Sequence, residues 1–391
     1  MGVGIACALL AAATFSVLST SAILAIDMTE TTLKESQSAS INDGLMRGFW
    51  YPALRSNRVR GRELRTAMLL GVPLVIGRNA KDEGFALRDA CPHRGMPLSE
   101  GSFDGHNVEC PYHGWVFEGK TGQCQSVPSL TARDKLKVER VFATSFPCDE
   151  RDGYFWVYIP DPEHPNEDIP AAPRLPTFSC GYRLEHLEAE LPCHVDHGII
   201  GLMDPAHGPF VHQSWWWRKR SSIHEKEKIF EPVPNGFRIK THSPSANSAA
   251  YKLLGVYGEP ITTTIQFVLP NMRFEEIHCG KYWFSSRTTV TPITAARCRI
   301  DVCAAWNVFR HVPFFTPILR FFGNMFVEQD RRTMVKQAEG LKYNPQLMLI
   351  DDADRPAKWY FALKAASIKS KRTGQPMEHP IEGPTTLRWR S

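Results

Sequence analysis

The sequence predicts an α+β protein of two domains, a small all-β domain followed by a larger domain with an antiparallel sheet and a late helix. Short β-branched and aromatic runs bounded by Gly, Asn and Pro occupy the first part of the chain. Longer alternating runs occupy the second part, and a segment with helical period follows them. The length of 391 residues suits two or three domains.

The all-β domain is predicted over residues 48–160, after a leader at 1–47. Its expected strands are GFWYPAL (48–54), VPLVIGR (72–78), GFALRDAC (84–91) and GYFWVYIP (153–160). Residues 161–176 are rich in proline and acidic residues, which is typical of a linker.

The larger domain is predicted over residues 177–391. Its expected strands are YRLEHLEAEL (182–191), TTTIQFVL (262–269), YWFSSRTTVTPI (282–293) and RCRIDVCAAWNV (297–308). Residues 316–341 have helical period and helix-forming residues, which predicts the late helix. Three tryptophans at 215–217 are expected to be core rather than pocket lining.

Composition excludes several classes of protein. The net charge of +5 is mild and no long basic run is present, so no nucleic-acid partner is expected. Ten cysteines in a chain of this length do not form a disulfide-scaffold pattern. Residues 2–27 are apolar without Lys or Arg, which leaves a weak membrane anchor or a mis-assigned start before Met28 as alternatives. A cytoplasmic protein with N-terminal membrane association as an option is therefore expected.

Two short loops carry the strongest chemical signal. One contains Cys91-x-His93 and the other Cys110-x2-His113, so each loop offers one thiolate and one imidazole. Structural zinc sites favour pairs of like ligands, so a zinc knuckle is the weaker interpretation. A two-iron cluster with both cysteines on one iron and both histidines on the other suits this pattern.

A second candidate site lies in GLMDPAHGPFVH (201–212), which contains Asp204, His207 and His212. Two histidines with a carboxylate from elsewhere would form the facial triad of a non-haem iron site. The alternative is structural, because Asp204 followed by Pro205 is also a good helix N-cap.

Periodicity suggests where the third ligand comes from. In the late helix, residues spaced by four form a stripe whose side chains are apolar or small, with one charged exception. The stripe consists of Ile318, Phe322, Phe326, Asp330, Met334 and Ala338. An inward carboxylate there is costly unless it binds a metal or forms a salt bridge. Glu328, Arg331 and Arg332 fall off the stripe, so Asp330 is the predicted ligand.

The motifs C-P-H-R-G (91–95) and C-P-Y-H-G-W (110–115) resemble the Rieske domain of the Rieske non-haem iron oxygenases. The resemblance covers about residues 48–341. It implies that the cluster ligands are Cys91, His93, Cys110 and His113. VEQDRR matches the family's E-x-D segment at Asp330. The matching Asp204 would reach a Rieske histidine of the adjacent subunit and form part of an electron path.

The resemblance further implies a helix-grip catalytic domain with a curved antiparallel sheet, and a homotrimer in which each Rieske domain serves the next subunit. The protein would be a terminal oxygenase with a [2Fe-2S] Rieske cluster and a mononuclear Fe(II). A ferredoxin or flavin reductase would supply electrons, O2 would be the co-substrate, and the aromatic-rich late helix favours an apolar aryl or polycyclic substrate.

Some outcomes stay open at this point. Mono-oxygenation, oxidative demethylation and cis-dihydroxylation share these motifs, and an electron-transfer Rieske protein whose large domain only docks partners is the alternative. One departure from the family concerns the Asn usually found three or four residues before the motif Asp. Here Gly201 and Ile200 occupy those positions.

Overall fold

Four antiparallel sheets and four α-helices form the described part of the computed structural model, which covers residues 43–165, 167–176, 181–213, 223–244, 254–309 and 311–391. Gly44–Ser391 make one compact unit. The helices are α1 (Val195–Met203), α2 (Gly208–Val211), α3 (Phe315–Leu341) and α4 (Arg355–Thr373). Short 3-10 turns lie at Ser56–Arg58, Leu98–Glu100, Val138–Arg140, Gly255–Tyr257 and Asp352–Asp354.

Three small sheets form the predicted all-β domain. Their strands are β1 (Phe49–Arg55), β2 (Arg65–Leu69), β3 (Val72–Arg78), β4 (Gly84–Arg88), β5 (Ser102–Phe103), β6 (Asn107–Glu109), β7 (Val116–Glu118), β8 (Cys124–Ser126), β9 (Ser145–Phe146), β10 (Cys148–Arg151) and β11 (Tyr154–Ile159). The strand orders are β1-β11-β10, β2-β3-β4-β9 and β5-β6-β7-β8. The small third sheet carries the loops of the first candidate site.

Strand β11 is apolar along its whole length because both of its faces are buried. Phe155, Val157 and Ile159 pack into one cluster with β1 and β3 side chains. The alternate side chains, including Trp156, pack into a second cluster that also contains residues of the larger domain. A central strand buried on both faces loses the polar alternation of a surface strand.

One eight-stranded sheet forms the core of the larger domain. Its strands are β12 (Arg183–Leu191), β13 (Glu225–Val233), β14 (Gly236–His242), β15 (Ile261–Val268), β16 (Met272–Cys279), β17 (Tyr282–Thr294), β18 (Arg297–Trp306) and β19 (Thr385–Arg390). The order is β12-β18-β17-β16-β15-β14-β13-β19, so β13 to β18 form a continuous meander. The four strands predicted here coincide with β12, β15, β17 and β18, and the α+β fold class is confirmed.

Helix α3 packs along β12, where Gly323 lies so close to Leu187 that a Cβ at this position would be 2.4 Å from Leu187 Cδ1. The predicted stripe is only partly covered in the described structure. Among the described residues of this helix, Val327 is the one whose side chain is buried, whereas Ile318 is 51% exposed. The expectation of a fully inward stripe is therefore wrong at its N-terminal end, because the sheet lies beneath only one side of the helix.

The C-terminal part of the predicted linker packs against the body of the protein. Ala172 and Leu175 are buried, and the Trp50 indole N–H donates to the Pro170 carbonyl over 2.6 Å. Its proline content thus gives an extended chain that follows the body of the protein.

Buried ion pairs join the two parts of the compact unit. Arg299 in β18 bonds Asp301 (2.8 Å) and also donates to the Pro52 carbonyl of β1 (2.7 Å). Arg287 in β17 bonds the Asp152 carboxylate over 2.6 Å. Asp152 sits in the β10–β11 turn, so both pairs connect the large sheet to the all-β domain.

In the described part of the chain, no helix has the length and apolar character needed to cross a bilayer. The predicted leader lies outside the described residues up to position 42, and so do the three tryptophans at 215–217.

Candidate metal centres

The first Cys/His loop is a tight turn closed on its own cysteine. The Cys91 N–H donates to the Met96 carbonyl, and the Gly95 N–H donates to the Cys91 carbonyl, each over 2.8 Å. Gly95 has φ +73°, a left-handed conformation that glycine adopts without strain. The sequence C-P-H-R-G therefore folds locally into a loop that presents the cysteine and the histidine together.

The second loop repeats this geometry. The Cys110 N–H donates to the Trp115 carbonyl over 2.8 Å, and the Gly114 N–H donates to the Cys110 carbonyl over 3.0 Å. Gly114 has φ +67°. Two loops with the same internal hydrogen bonds thus face each other, as expected for a centre that takes one thiol and one imidazole from each.

Like ligands lie together in pairs. Cys91 and Cys110 are 3% and 2% exposed, and the rings of His93 and His113 have centroids 4.6 Å apart. Burial raises the pKa of Cys91 to about 11 with help from the Cys110 thiol, against the backbone N–H groups of His93 and Arg94. A bound cation is therefore needed to make Cys91 a thiolate at neutral pH.

An orphaned ring nitrogen supports metal binding at the first centre. His93 Nδ1 is buried and has no hydrogen-bond partner in the described part of the chain. Trp115 stacks on the His93 ring at 4.6 Å and 6°, which fixes its orientation. A buried nitrogen without a partner is costly unless it binds a metal. Tyr112 is 55% exposed, and its ring lies 3.8 Å from that of His113.

The second centre is a cluster of His207, His212 and Asp330. Nε2 of His212 lies 3.2 Å from Nε2 of His207 and 3.2 Å from Oδ1 of Asp330, and His207 Nε2 lies 3.9 Å from the same oxygen. Among the described residues, this is the group whose three ligand atoms all lie within 4.8 Å of one another.

His207 lies between α1 and α2 and is oriented by the main chain. Its Nδ1–H donates to the Asp204 carbonyl over 2.8 Å, which leaves the Nε2 lone pair directed at the other two residues. Burial lowers the pKa of His207, but the bonds and charge of Asp204 and the charge of Asp330 outweigh it and raise the pKa. The pocket therefore favours a positive charge at this position.

His212 is 2% exposed and lies against α3. Its ring stacks on Phe326 at 3.6 Å and 12°, and its Nδ1 lies 3.1 Å from Gln329 Oε1. Both contacts come from the helix that supplies Asp330. Two imidazole lone pairs and one carboxylate thus converge on a common point, and without a cation or a proton there they would repel one another. The donor set fits a 2-His-1-carboxylate iron site.

The Asp204 carboxylate contradicts the helix N-cap alternative, while its contact with an adjacent subunit stays a prediction. Oδ1 accepts the Ala206 N–H over 2.7 Å, while Oδ2 lies 3.6 Å from His207 Nδ1. Asp204 is the C-terminal cap of α1, and His207 occupies the N-cap of α2, so Asp204 is not the N-cap of a following helix. The main-chain carbonyl of Asp204 accepts the hydrogen bond from the His207 N–H, because the Asp204 side chain closes a local turn.

Sequence reasoning named the eight candidate residues but missed Gln329 and Phe326. Phe326 lies three residues before Gln329 and four before Asp330, spacings that bring side chains to one side of a helix, and this was the available signal. Of the other histidines, His194 caps α1 by accepting the Asp196 N–H (3.2 Å), and His197 contributes no ligand atom to the described three-residue group.

Comparisons with known proteins agree with this geometry. Residues 49–146 match the family model of the Rieske [2Fe-2S] domain. Chlorophyllide a oxygenase of Chlamydomonas reinhardtii is 29% identical over 377 residues, 88% of this chain and 52% of that protein. The Arabidopsis thaliana chlorophyllide a oxygenase is 31% identical over 314 residues, 75% of this chain and 52% of the relative. The chain thus spans about half the length of these curated relatives.

A solved structure shares most of this fold. Dicamba monooxygenase bound to dicamba superposes with a TM-score of 0.66 at 20% identity, covering 83% of this chain and 98% of that one. The protein therefore has the architecture of a Rieske [2Fe-2S] domain joined to a helix-grip domain. It carries a Rieske domain and is homologous to the Rieske oxygenases, so the resemblance found in the motifs is confirmed.

Proposed function

We propose that this protein is the terminal oxygenase component of a Rieske-type system. The observation that carries the proposal is the presence of two metal-ligand sets in one chain. One is the buried Cys/His loop pair, and the other is the converging group of His207, His212 and Asp330. An electron carrier needs the first set alone, whereas oxygen chemistry needs the second.

The residues of the chain have defined tasks in this proposal. When bound, the cluster would supply single electrons and the iron would supply O2 activation. Cys91 and Cys110 would hold one side of the cluster as thiolates, and His93 and His113 the other. His207, His212 and Asp330 would hold the iron.

An apolar substrate is supported by the side chains near the second centre. Phe326 stacks on His212, and a separate apolar cluster that contains the buried Trp306 has the partly buried Phe284 of β17 and Phe315 of α3 packed against it. Such surroundings suit an aryl or polycyclic molecule and would exclude water. Relatives named for chlorophyllide and for dicamba agree with a ring-containing substrate.

Electrons would come from a ferredoxin or flavin reductase. We further propose the homotrimer implied by the family resemblance, in which the Rieske domain of one subunit serves the iron of the next. Asp204 would then connect the centres, and its side chain is 32% exposed on the surface beside His207. The domain boundaries at residues 48–160 and 177–391, and a cytoplasmic location, belong to the same proposal.

Metal analysis of two variants tests the function. The purified parent should be red-brown, with about three irons and about two acid-labile sulfides per chain. His212→Ala should lose about one iron and all turnover while keeping the sulfides. Cys110→Ser should lose the colour and the sulfides, because one cluster ligand is removed.

Turnover is measured with a generic reductase and O2 across a panel of hydrophobic compounds, with products identified by mass. About two irons per chain and no product in the parent would indicate an electron carrier instead. A colourless parent containing zinc would contradict the cluster assignment.

A further inference from the structure

One face of helix α3 holds the His212 ring in three ways. Phe326 stacks on the ring, Gln329 Oε1 lies 3.1 Å from Nδ1, and Asp330 Oδ1 lies 3.2 Å from Nε2. The three residues are spaced i, i+3 and i+4, so a single helical face presents them. The His212 ring is therefore held by stacking on its face and by a contact at each of its two nitrogens.

The direction of the Gln329 bond decides which nitrogen of His212 carries the proton. A carbonyl oxygen only accepts, so Nδ1 must donate to it and Nε2 keeps a free lone pair. That lone pair is directed at His207 and Asp330. The opposite amide orientation would donate to Nδ1 and place the proton on Nε2, where it would block metal binding.

We propose that Gln329 is a positioning residue for the mononuclear metal. Its side chain fixes His212 as a neutral ligand that binds through Nε2. This inference rests on the proposed iron site. Ligating histidines usually donate their second N–H to an acceptor that sets both tautomer and ring orientation. For His207 that acceptor is the Asp204 carbonyl, which no substitution removes, so the side-chain acceptor of His212 is the one that mutation can test.

Neighbouring side chains cannot take over this task. Glu328 is held by Arg331 (2.6 Å) and Arg332 (3.0 Å) on the outer side of the helix. The Gln329 main-chain carbonyl, for its part, accepts the Thr333 hydroxyl over 3.0 Å. Among the described residues of α3, the Gln329 side-chain amide is therefore the group that lies at Nδ1 of His212.

Anaerobic Fe(II) equilibrium dialysis of cluster-loaded protein tests the inference, with mononuclear iron occupancy measured against free Fe(II). Gln329→Leu should weaken Fe(II) binding by about 10–100-fold. Gln329→Glu keeps an acceptor at Nδ1 and should bind at least as tightly as the parent, since a carboxylate makes the ligand more basic. Gln337→Leu, at an exposed position of the same helix, is the matched control and should change nothing.

Each result has a distinct meaning. Failure of the parent to bind Fe(II) would contradict the proposed iron site itself. Parent-like binding by Gln329→Leu would overturn the positioning role while leaving the site intact. Equal weakening in Gln329→Leu and Gln329→Glu, with lowered urea midpoints in both, would show that Gln329 serves only the packing of α3. Acid-labile sulfide should be the same in all variants.

Discussion

Asp204 shows how one residue can serve several partners beside a metal centre. Its main-chain carbonyl orients His207, its Oδ1 closes a turn onto the Ala206 N–H, and its Oδ2 lies 3.6 Å from His207 Nδ1. The first two tasks need only oxygen acceptors that asparagine also provides. The second carboxylate oxygen is thus the part of the side chain on which the proposed contact with a neighbouring subunit would depend.

Asp204→Asn should leave both metal centres occupied, because the carbonyl and one side-chain oxygen remain. It should slow reduction of the iron by the cluster by about 10–100-fold, while the cluster still accepts electrons from its donor. Single-turnover experiments on pre-reduced protein measure this step. Product formation at the parent rate would mean that electrons reach the iron through other groups.

At the scale of elements, α3 contributes residues to the second centre from a part of the chain far from His207 and His212. Its position depends on a close approach to β12, where Gly323 faces Leu187 without a side chain of its own. A helix that supplies Asp330, Gln329 and Phe326 transmits any displacement to all three contacts at once. The spacing between helix and strand is therefore part of the site.

Gly323→Val should lower the free energy of unfolding by about 1–3 kcal/mol, since its side chain overpacks against Leu187. It should also reduce mononuclear iron occupancy by moving α3 away from His212. Urea denaturation and iron analysis measure the two effects.

Gly340→Ala in the same helix is the control, because a Cβ there meets no atom within 4 Å. It should be neutral or stabilise by up to about 1 kcal/mol. Parent-like stability and iron content in Gly323→Val would show that the helix has room to adjust.

At the scale of the whole molecule, buried charges hold the all-β domain against the large sheet. Asp301 is 2% exposed, receives Arg299 at 2.8 Å and accepts the Thr291 hydroxyl at 3.1 Å. Arg299 also bonds the β1 backbone, so the pair belongs to the interface. A charge buried to this extent is costly once its partner is removed.

Arg299→Leu should destabilise the protein by about 3–5 kcal/mol, because it leaves the Asp301 carboxylate buried and unpaired. The double variant Arg299→Met/Asp301→Leu should lose less free energy of unfolding than Arg299→Leu alone. Arg238→Leu breaks a more exposed pair with Glu231 (2.6 Å) and should cost about 1 kcal/mol or less. Urea midpoints compare the three, and equal losses for Arg299→Leu and Arg238→Leu would contradict a buried-charge cost.

Local chemistry made much of this protein predictable from its sequence. The cluster loops close on their own hydrogen bonds, from Cys91 to Met96 and from Cys110 to Trp115, so a short motif contains both ligands and their geometry. The apolar runs of β3 and β11 and the period of α3 likewise follow from neighbouring residues.

Other features depend on residues far apart in the chain. Strand β19 joins the large sheet by pairing Arg390 with Glu225, and neither segment was predicted as a strand. Both alternate polar and apolar side chains at the sheet's end, where pairing with a distant partner decides the structure. Asp330 was predicted as a lone carboxylate on a stripe, but its distance from His207 and His212 exists only in the folded chain.

The sequence by itself determined the ligand types of the first centre, the two-histidine motif of the second, and the α+β class. Tertiary structure alone decided that Gln329 accepts a hydrogen bond from His212. It also decided that the His207 N–H donates to the carbonyl of Asp204 rather than to its carboxylate. The meeting of Arg299 and Asp301 at the domain interface was likewise decided there. The physical reason is range: motif loops are stabilised by bonds among adjacent residues, whereas these contacts form only after the packing of sheet and helix has brought remote side chains together.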